Sequence, residues 1–290
     1  MPNRTVSQAR SFKQNPNHYP RKLKVGIYNA LTRTESNYPL IKNPKRILIQ
    51  CQEKIGDGIL LFPLLYGLKL FFPDLSIDIL CSRRNREIFN KVSFIEKIFT
   101  YRNGNKLWEK LNSNKYDIFY NPKDHPSITS FRIAKRVKAK VKVCISNKRH
   151  DQHYNYALKN LNAKRILEKN ALLLKEYDKS FKILPWLPIN NDQIKNHEVC
   201  INISSGSPHR EWSVKKWIDL INMIYENDKS TKINIIAINK DQNKINEIKR
   251  KIGHSINFHS NFNNILDSVS IIFKSKVLIS PDTAMIHLAD

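Results

Sequence analysis

Twice along this chain short β-type runs alternate with longer helical segments, and this rhythm restricts the fold more than any single motif. From about Lys45 the runs Ile47–Cys51, Ile77–Cys81, Tyr116–Tyr120 and Val141–Ile145 read as strands, with helical patterns over Leu60–Phe72, Asn85–Lys91 and Ile128–Lys135 between them. Strands spaced by helices are not hairpins; they build a parallel sheet covered on both faces. Pro73-Asp74 ends the first long helix. Residues His150 to Tyr177 read mostly as helix, with Leu158, Leu161, Ile166, Leu172 and Leu173 close to a helical period.

The Pro-bearing stretch Ile183-Leu184-Pro185-Trp186-Leu187-Pro188, followed by polar Asn190 to Asn196, then interrupts the pattern. Beyond it the alternation restarts: strand Val199–Ile203, helix Val214–Tyr225, strand Ile233–Ile238, helix Gln242–Lys251, a helical piece Phe262–Phe273 and strand Lys276–Ser280. The expected organisation is a basic extension 1–44, an α/β unit 45–185, a linker 186–198 and a second α/β unit 199–290. The chain ends at Asp290 in what reads as the first turn of a helix, so the second unit is expected to be incomplete. Two such units facing a cleft turn the carboxyl ends of their strands toward a shared ligand.

Composition narrows the function classes. With 290 residues, 41% hydrophobic content and a mean hydropathy of -0.49 the chain is expected to be a cored, soluble protein. Its longest apolar stretch, Ile59 to Leu68, is about half the ~20 residues of a membrane crossing. The segment before Asn43 lacks the apolar core of a secretory signal, so the expected location is the cytoplasm. Cys51, Cys81, Cys144 and Cys200 sit in or at the end of apolar runs without metal-ligand spacing, as buried free thiols do, and no metal site is expected. A formal net charge of +25 attracts polyanions without choosing among nucleic acid, anionic lipid and phosphorylated sugar. No RNA-binding aromatic motif, zinc finger or helix-turn-helix signature accompanies the charge, and nucleic acid is not an expected partner.

Three strand-to-helix junctions carry candidate chemistry. Ile55-Gly56-Asp57-Gly58 follows the first strand, placing flexible glycines and one carboxylate at the edge of a sheet. Asp57 is a candidate base there; a helix-capping aspartate is the structural reading. The loop Ser204-Ser205-Gly206-Ser207-Pro208-His209-Arg210-Glu211-Trp212-Ser213 ends on a predicted N-cap, Ser213, and offers hydroxyls, amides and a planar guanidinium to a diphosphate. In its structural reading Arg210 pairs with Glu211 or Asp219 on the surface. The third junction, Ile279-Ser280-Pro281-Asp282-Thr283-Ala284-Met285-Ile286-His287-Leu288-Ala289, puts Asp282 and Thr283 at a helix start, with His287 more than a turn further on.

Together these segments resemble glycosyltransferase family 9, the ADP-heptose:lipopolysaccharide heptosyltransferases, from about Arg46 to the last residue. The order is Ile-Gly-Asp, then Ser-Gly with Arg-x-Trp-x-x-x-x-Trp-x-x-Leu, then Asp-Thr-x-x-x-His-Leu-Ala. The resemblance implies a GT-B arrangement of two Rossmann-like domains, the first taking the acceptor and the second the nucleotide sugar. It implies that Asp57, flanked by Gly56 and Gly58, is the general base of an inverting transfer of heptose from ADP-heptose. It places Ser205, Gly206, Arg210, Asp282, Thr283 and His287 on the donor side. No metal or cofactor is implied, the ADP-sugar being a substrate. The implied acceptor is an anionic lipopolysaccharide inner-core precursor, met by peripheral contact with the anionic inner face of the inner membrane. Ala284 stands where the family has glycine, and Ala237-Ile238-Asn239-Lys240-Asp241 departs from the family's glycine followed by an acid. The early end is expected to impair the activity of such an enzyme; a transferase for another nucleotide sugar or a protein acceptor, and a degenerate non-catalytic paralogue, are the alternatives.

Overall fold

The computed structural model describes residues 23–27, 38–102, 104–160, 162–189 and 198–289. Most of the expected extension 1–44, the polar linker Asn190–Asn196 and Asp290 lie outside the described residues. A helical turn, α1, covers 23–27.

The first sheet has six parallel strands: β1 (Arg46–Cys51), β2 (Ser76–Cys81), β3 (Ile95–Thr100), β4 (Tyr116–Asn121), β5 (Ala139–Ile145) and β6 (Tyr156–Leu158). Their order is β3-β2-β1-β4-β5-β6. Strands β1, β2 and β4 are buried along nearly their whole length, which is why each reads as a near-continuous apolar run. The second sheet contains β7 (Glu198–Asn202), β8 (Lys232–Ile236), β9 (Asn257–His259) and β10 (Ser275–Ile279) in the order β10-β7-β8-β9, again all parallel. It repeats the β3-β2-β1-β4 part of the first sheet. Each sheet therefore reverses its winding once, beside β1 and β4 in the first and beside β7 and β10 in the second. In open α/β sheets ligands bind at the carboxyl ends of such a pair.

The helices fill the connections. They are α2 (Ile55–Ile59), α3 (Phe62–Phe71), α4 (Arg83–Phe89), α5 (Asn105–Asn112), α6 (Ile128–Arg136), α7 (Ile166–Asn170) and α8 (Leu172–Tyr177) in the first half. The second half has α9 (Val214–Asn227), α10 (Gln242–Lys251), α11 (Val269–Lys274) and α12 (Ala284–Ala289). The predicted helix Leu60–Phe72 is α3, starting at Phe62; a further short helix, α2, precedes it across a turn at Leu60-Leu61. The predicted helix over His150 to Tyr177 is corrected: that stretch holds a single turn Asp151–His153, edge strand β6, and the short helices α7 and α8. Leu158, Leu172 and Leu173 mimic a helical period because they reach one core from β6 and α8. Ser213 caps α9 as predicted, accepting from the Lys216 amide at 3.4 Å. The cysteines are all buried and free.

One apolar cluster joins the two halves. Ile47, Ile59, Leu64 and Ile88 from the first pack in the same core as Leu266, Val269, Met285 and Leu288 from the second. The Asn264 side-chain amide also donates to the Glu87 carbonyl at 2.9 Å. Among the described residues no helix is long and apolar enough to cross a membrane.

Gly67, inside α3, shows how closely this core is filled. An alanine in a helix interior is worth about 1 kcal/mol over glycine where the methyl has room. At Gly67 a Cβ would sit 2.5 Å from Leu174 Cδ1 and 3.0 Å from Phe181 Cζ. Gly67→Ala is therefore expected to lower stability in urea unfolding by about 1–3 kcal/mol; a gain would show that the α8 side yields freely.

Candidate active site

The first junction is a helix start rather than an open turn. α2 begins at Ile55, four residues after β1 ends, and Asp57 occupies its third position, where Oδ2 accepts the Lys54 amide at 3.1 Å. The carboxylate thus secures the helix N-terminus, half-buried, and also lines a cavity of about 200 Å³. Gly56 and Gly58 are helical, and neither has a positive φ, so close packing and not turn geometry selects them. A Cβ on Gly56 would lie 2.7 Å from His287 Cδ2 and 3.2 Å from its Nε2; one on Gly58 would lie 2.7 Å from Ile88 Cδ1.

The cavity occupies the switch point between β1 and β4. Its walls come from the end of β1 (Gln50, Glu53), the end of β4 (Asn121, Lys123, His125) and α7 (Lys169). Each lysine is matched by an acid: Lys123 pairs with Glu53, and Lys169 Nζ lies 2.9 Å from Asp124 Oδ2. Burial would lift the Asp124 carboxyl, but hydrogen bonds from Lys169 and His125 prevail and hold it below its ordinary range. Burial and the Lys123 ammonium lower His125, which leaves its imidazole neutral near pH 7. The Cys51 thiol, also on the wall, is driven far up by burial and stays protonated. None of Glu53, Lys123, His125 or Lys169 was among the sequence candidates. The charged loop Lys123-Asp124-His125 directly after a buried strand was the available signal, but its value depends on strand order.

At the second switch point the loops after β7 and β10 are tied across the sheet. Asn202, buried at the end of β7, donates to Ser280 Oγ at 2.9 Å and to Thr283 Oγ1 at 3.2 Å. Thr283 sits directly before α12, and its hydroxyl accepts the Met285 amide at 3.4 Å. Arg210 does not pair with Glu211 or Asp219. Its Nη1 reaches Asp282 Oδ2 and the Asp282 carbonyl, each at 2.9 Å. Glu211 goes instead to Lys244, which also holds Asp241 at 2.9 Å. Ser205 turns inward, its hydroxyl donating to the Ser207 carbonyl at 2.8 Å and accepting the Ser207 amide at 3.1 Å, so it shapes the loop. Gly206 is exposed with open space beside it. In the segment Ala237-Ile238-Asn239-Lys240-Asp241, Asp241 is buried and accepts from Ser204 Oγ at 2.6 Å, while Lys240 Nζ donates to the Ser205 carbonyl at 3.1 Å. This segment braces the Ser205 loop.

The two switch points meet through α12. Besides its approach to His287, a Cβ on Gly56 would lie 3.6 Å from Ala284 Cα, so α12 rests on the residue next to Asp57. The sequence placed His287 with the donor loops; the structure sets it against the first sheet's junction. Among the described residues one trio could offer metal-ligand atoms, Cys144, His150 and Asp151, within 4.8 Å of one another. Asp151 is already engaged by the Asn147 amide and Ser146 hydroxyl, His150 Nε2 donates to the Ile145 carbonyl, and burial keeps the Cys144 thiol protonated. The trio is a hydrogen-bonded corner of the first core.

The contact at Gly56 is testable by a double-mutant cycle. Gly56→Ala alone is expected to lower thermal stability, and His287→Ala in the same chain to return most of the loss, with a coupling of about 1 kcal/mol or more. Additive effects in calorimetry would show that the ring and the glycine do not touch in solution.

No protein-family profile matches this sequence, and no curated protein matches it. Solved structures do. Escherichia coli heptosyltransferase WaaC with ADP superposes at a TM-score of 0.68 with 14% identity, over 84% of this chain and 83% of that one. A glycosyl transferase family 9 protein from Veillonella parvula gives 0.67 with 14% identity over 89% and 79% of the two chains. E. coli ADP-heptose lps heptosyltransferase II gives 0.65 with 16% identity over 84% and 81%. With its two parallel sheets and the junctions at their switch points, the chain has the GT-B, heptosyltransferase-like fold of the family 9 glycosyltransferases.

Proposed function

We propose that this protein is an inverting glycosyltransferase that moves heptose from ADP-heptose to the inner core of an anionic lipopolysaccharide precursor, working peripherally at a membrane surface. The observation that carries the proposal is the meeting of the two switch points: the helix that follows the Asp282-Thr283 loop packs on Gly56, the residue before Asp57. The solved structures include a heptosyltransferase holding ADP and one holding ADP-2-deoxy-2-fluoro heptose, which supports a nucleotide sugar as donor.

In this reading the acceptor sugar enters the cavity at β1 and β4, and Asp57 takes the proton of its attacking hydroxyl. That oxygen forms a bond to the anomeric carbon from the face opposite the diphosphate. The anomeric carbon–oxygen bond breaks, and ADP leaves with the electron pair. Arg210, positioned by Asp282, and the amides of the Gly206 and Thr283 loops neutralise the departing charge. Lys123 and Lys169 orient the acceptor while their acids keep the cavity from becoming strongly cationic.

Asp57→Asn separates catalysis from folding, because an amide oxygen still accepts the Lys54 N–H. It is expected to leave ADP binding and thermal stability near wild type and to slow heptosyl transfer about 10²–10⁴-fold. Equal transfer rates would remove Asp57 as the base. Arg210→Ala is expected to weaken ADP binding in calorimetry by about tenfold, the effect of losing one charge-assisted contact of about 1.5 kcal/mol. Unchanged affinity would place the diphosphate elsewhere.

A further inference from the structure

A second, larger cavity of about 760 Å³ lies across α7 from the Asp57 cavity. The helix is a partition between them: Ile166, Lys169 and Asn170 face the Asp57 side, whereas Arg165, Leu167 and Glu168 line the larger space. α2 and the turn after it are shared in the same way, with Asp57 and Leu61 on one side and Ile59 and Leu60 on the other.

Apolar side chains form a large part of the walls of this groove, and Ser180 and His287 also line it. Leu60, Phe181, Ile183, Trp186, Phe273 and Leu288 contribute, and Trp186 is fixed by stacking on Tyr66 at 5.1 Å. Its rim is basic, with exposed Lys175, Lys179 and Lys182. The acid on the same rim, Glu168, already accepts the Lys164 and Arg165 amides. In the Asp57 cavity, by contrast, Lys123 and Lys169 are each neutralised by a carboxylate. Cationic capacity for an anionic acceptor is thus concentrated beside hydrocarbon walls and not around the base.

We infer that this groove holds the hydrocarbon chains of an anionic lipid whose headgroup crosses α7 toward Asp57, an inference that rests on the transferase reading for the headgroup's fate. Apolar walls take the acyl chains out of water, and the lysine rim attracts the phosphate or carboxylate at their base. The span is that of a single helix, about 10 Å across with its side chains.

Trp186 provides the readout. The probe is a short-chain phosphatidylglycerol brominated on its acyl chains and kept below its micelle concentration, with the matching phosphatidylcholine as the neutral control. Saturable quenching of tryptophan fluorescence is expected in the full chain, lost in Trp186→Phe, and at least tenfold weaker for Lys175→Glu/Lys179→Glu and for the neutral lipid. Quenching that persists in Trp186→Phe, that ignores the lysine changes, or that is absent from a natively folded protein would overturn the inference. So would equal kcat/KM for an acceptor with and without its acyl chains, a result that leaves the transferase reading intact. Conversely, lipid quenching retained by a wild type that transfers no sugar would uphold the groove and end that reading.

Discussion

The arrangement depends on an imidazole seated where a side chain would otherwise be. Gly56 leaves the surface of α2 bare, and His287 fills the space at a distance no Cβ would tolerate. This contact and the apolar cluster around Met285 and Leu288 set the register of one sheet against the other. Without it the carboxylate of Asp57 and the loops at β7 and β10 would be two unrelated sheet edges. With it, one helix belongs at once to the loop after β10 and to the junction after β1. The glycine costs α2 intrinsic helix stability, about 1 kcal/mol, which the tertiary packing offsets.

Much of the fold was legible because its main strands are buried on both faces. Ile47–Cys51, Ile77–Cys81 and Tyr116–Tyr120 announce themselves as near-continuous apolar runs, and the observed bounds of each differ from the predicted ones by one residue at one end. The strands that sequence reading missed are at sheet edges. β3, Ile-Glu-Lys-Ile-Phe-Thr, carries two exposed charges, while β6 and β9 are only three residues long. Short edge strands take their stability from the neighbour they pair with, which a local pattern does not contain.

The candidate site divides along the same line. Features governed by near neighbours were readable: the Ser213 cap and the buried thiols. Features governed by strand order were not. Lys123 and Lys169 reach the same cavity as Asp57 because β4 lies beside β1 and α7 closes over both. Arg210 chooses a partner 72 positions away over the adjacent Glu211, because Lys244 on the next connection has already taken that acid. The segment Ala237–Asp241, which departs from the family pattern, acquires a purpose only in three dimensions, where Asp241 and Lys240 hold the Ser205 loop from behind.

The pairing of Arg210 with Asp282 bears on how an anion would arrive. A guanidinium held by a carboxylate is already dehydrated on one side and oriented, and the side chains are still about half and largely exposed, respectively. Because Asp282 engages Nη1 alone, an incoming phosphate can take the other donors of the fork while the carboxylate keeps its hold, so Asp282 would act as a splint that keeps the guanidinium turned toward the arriving anion.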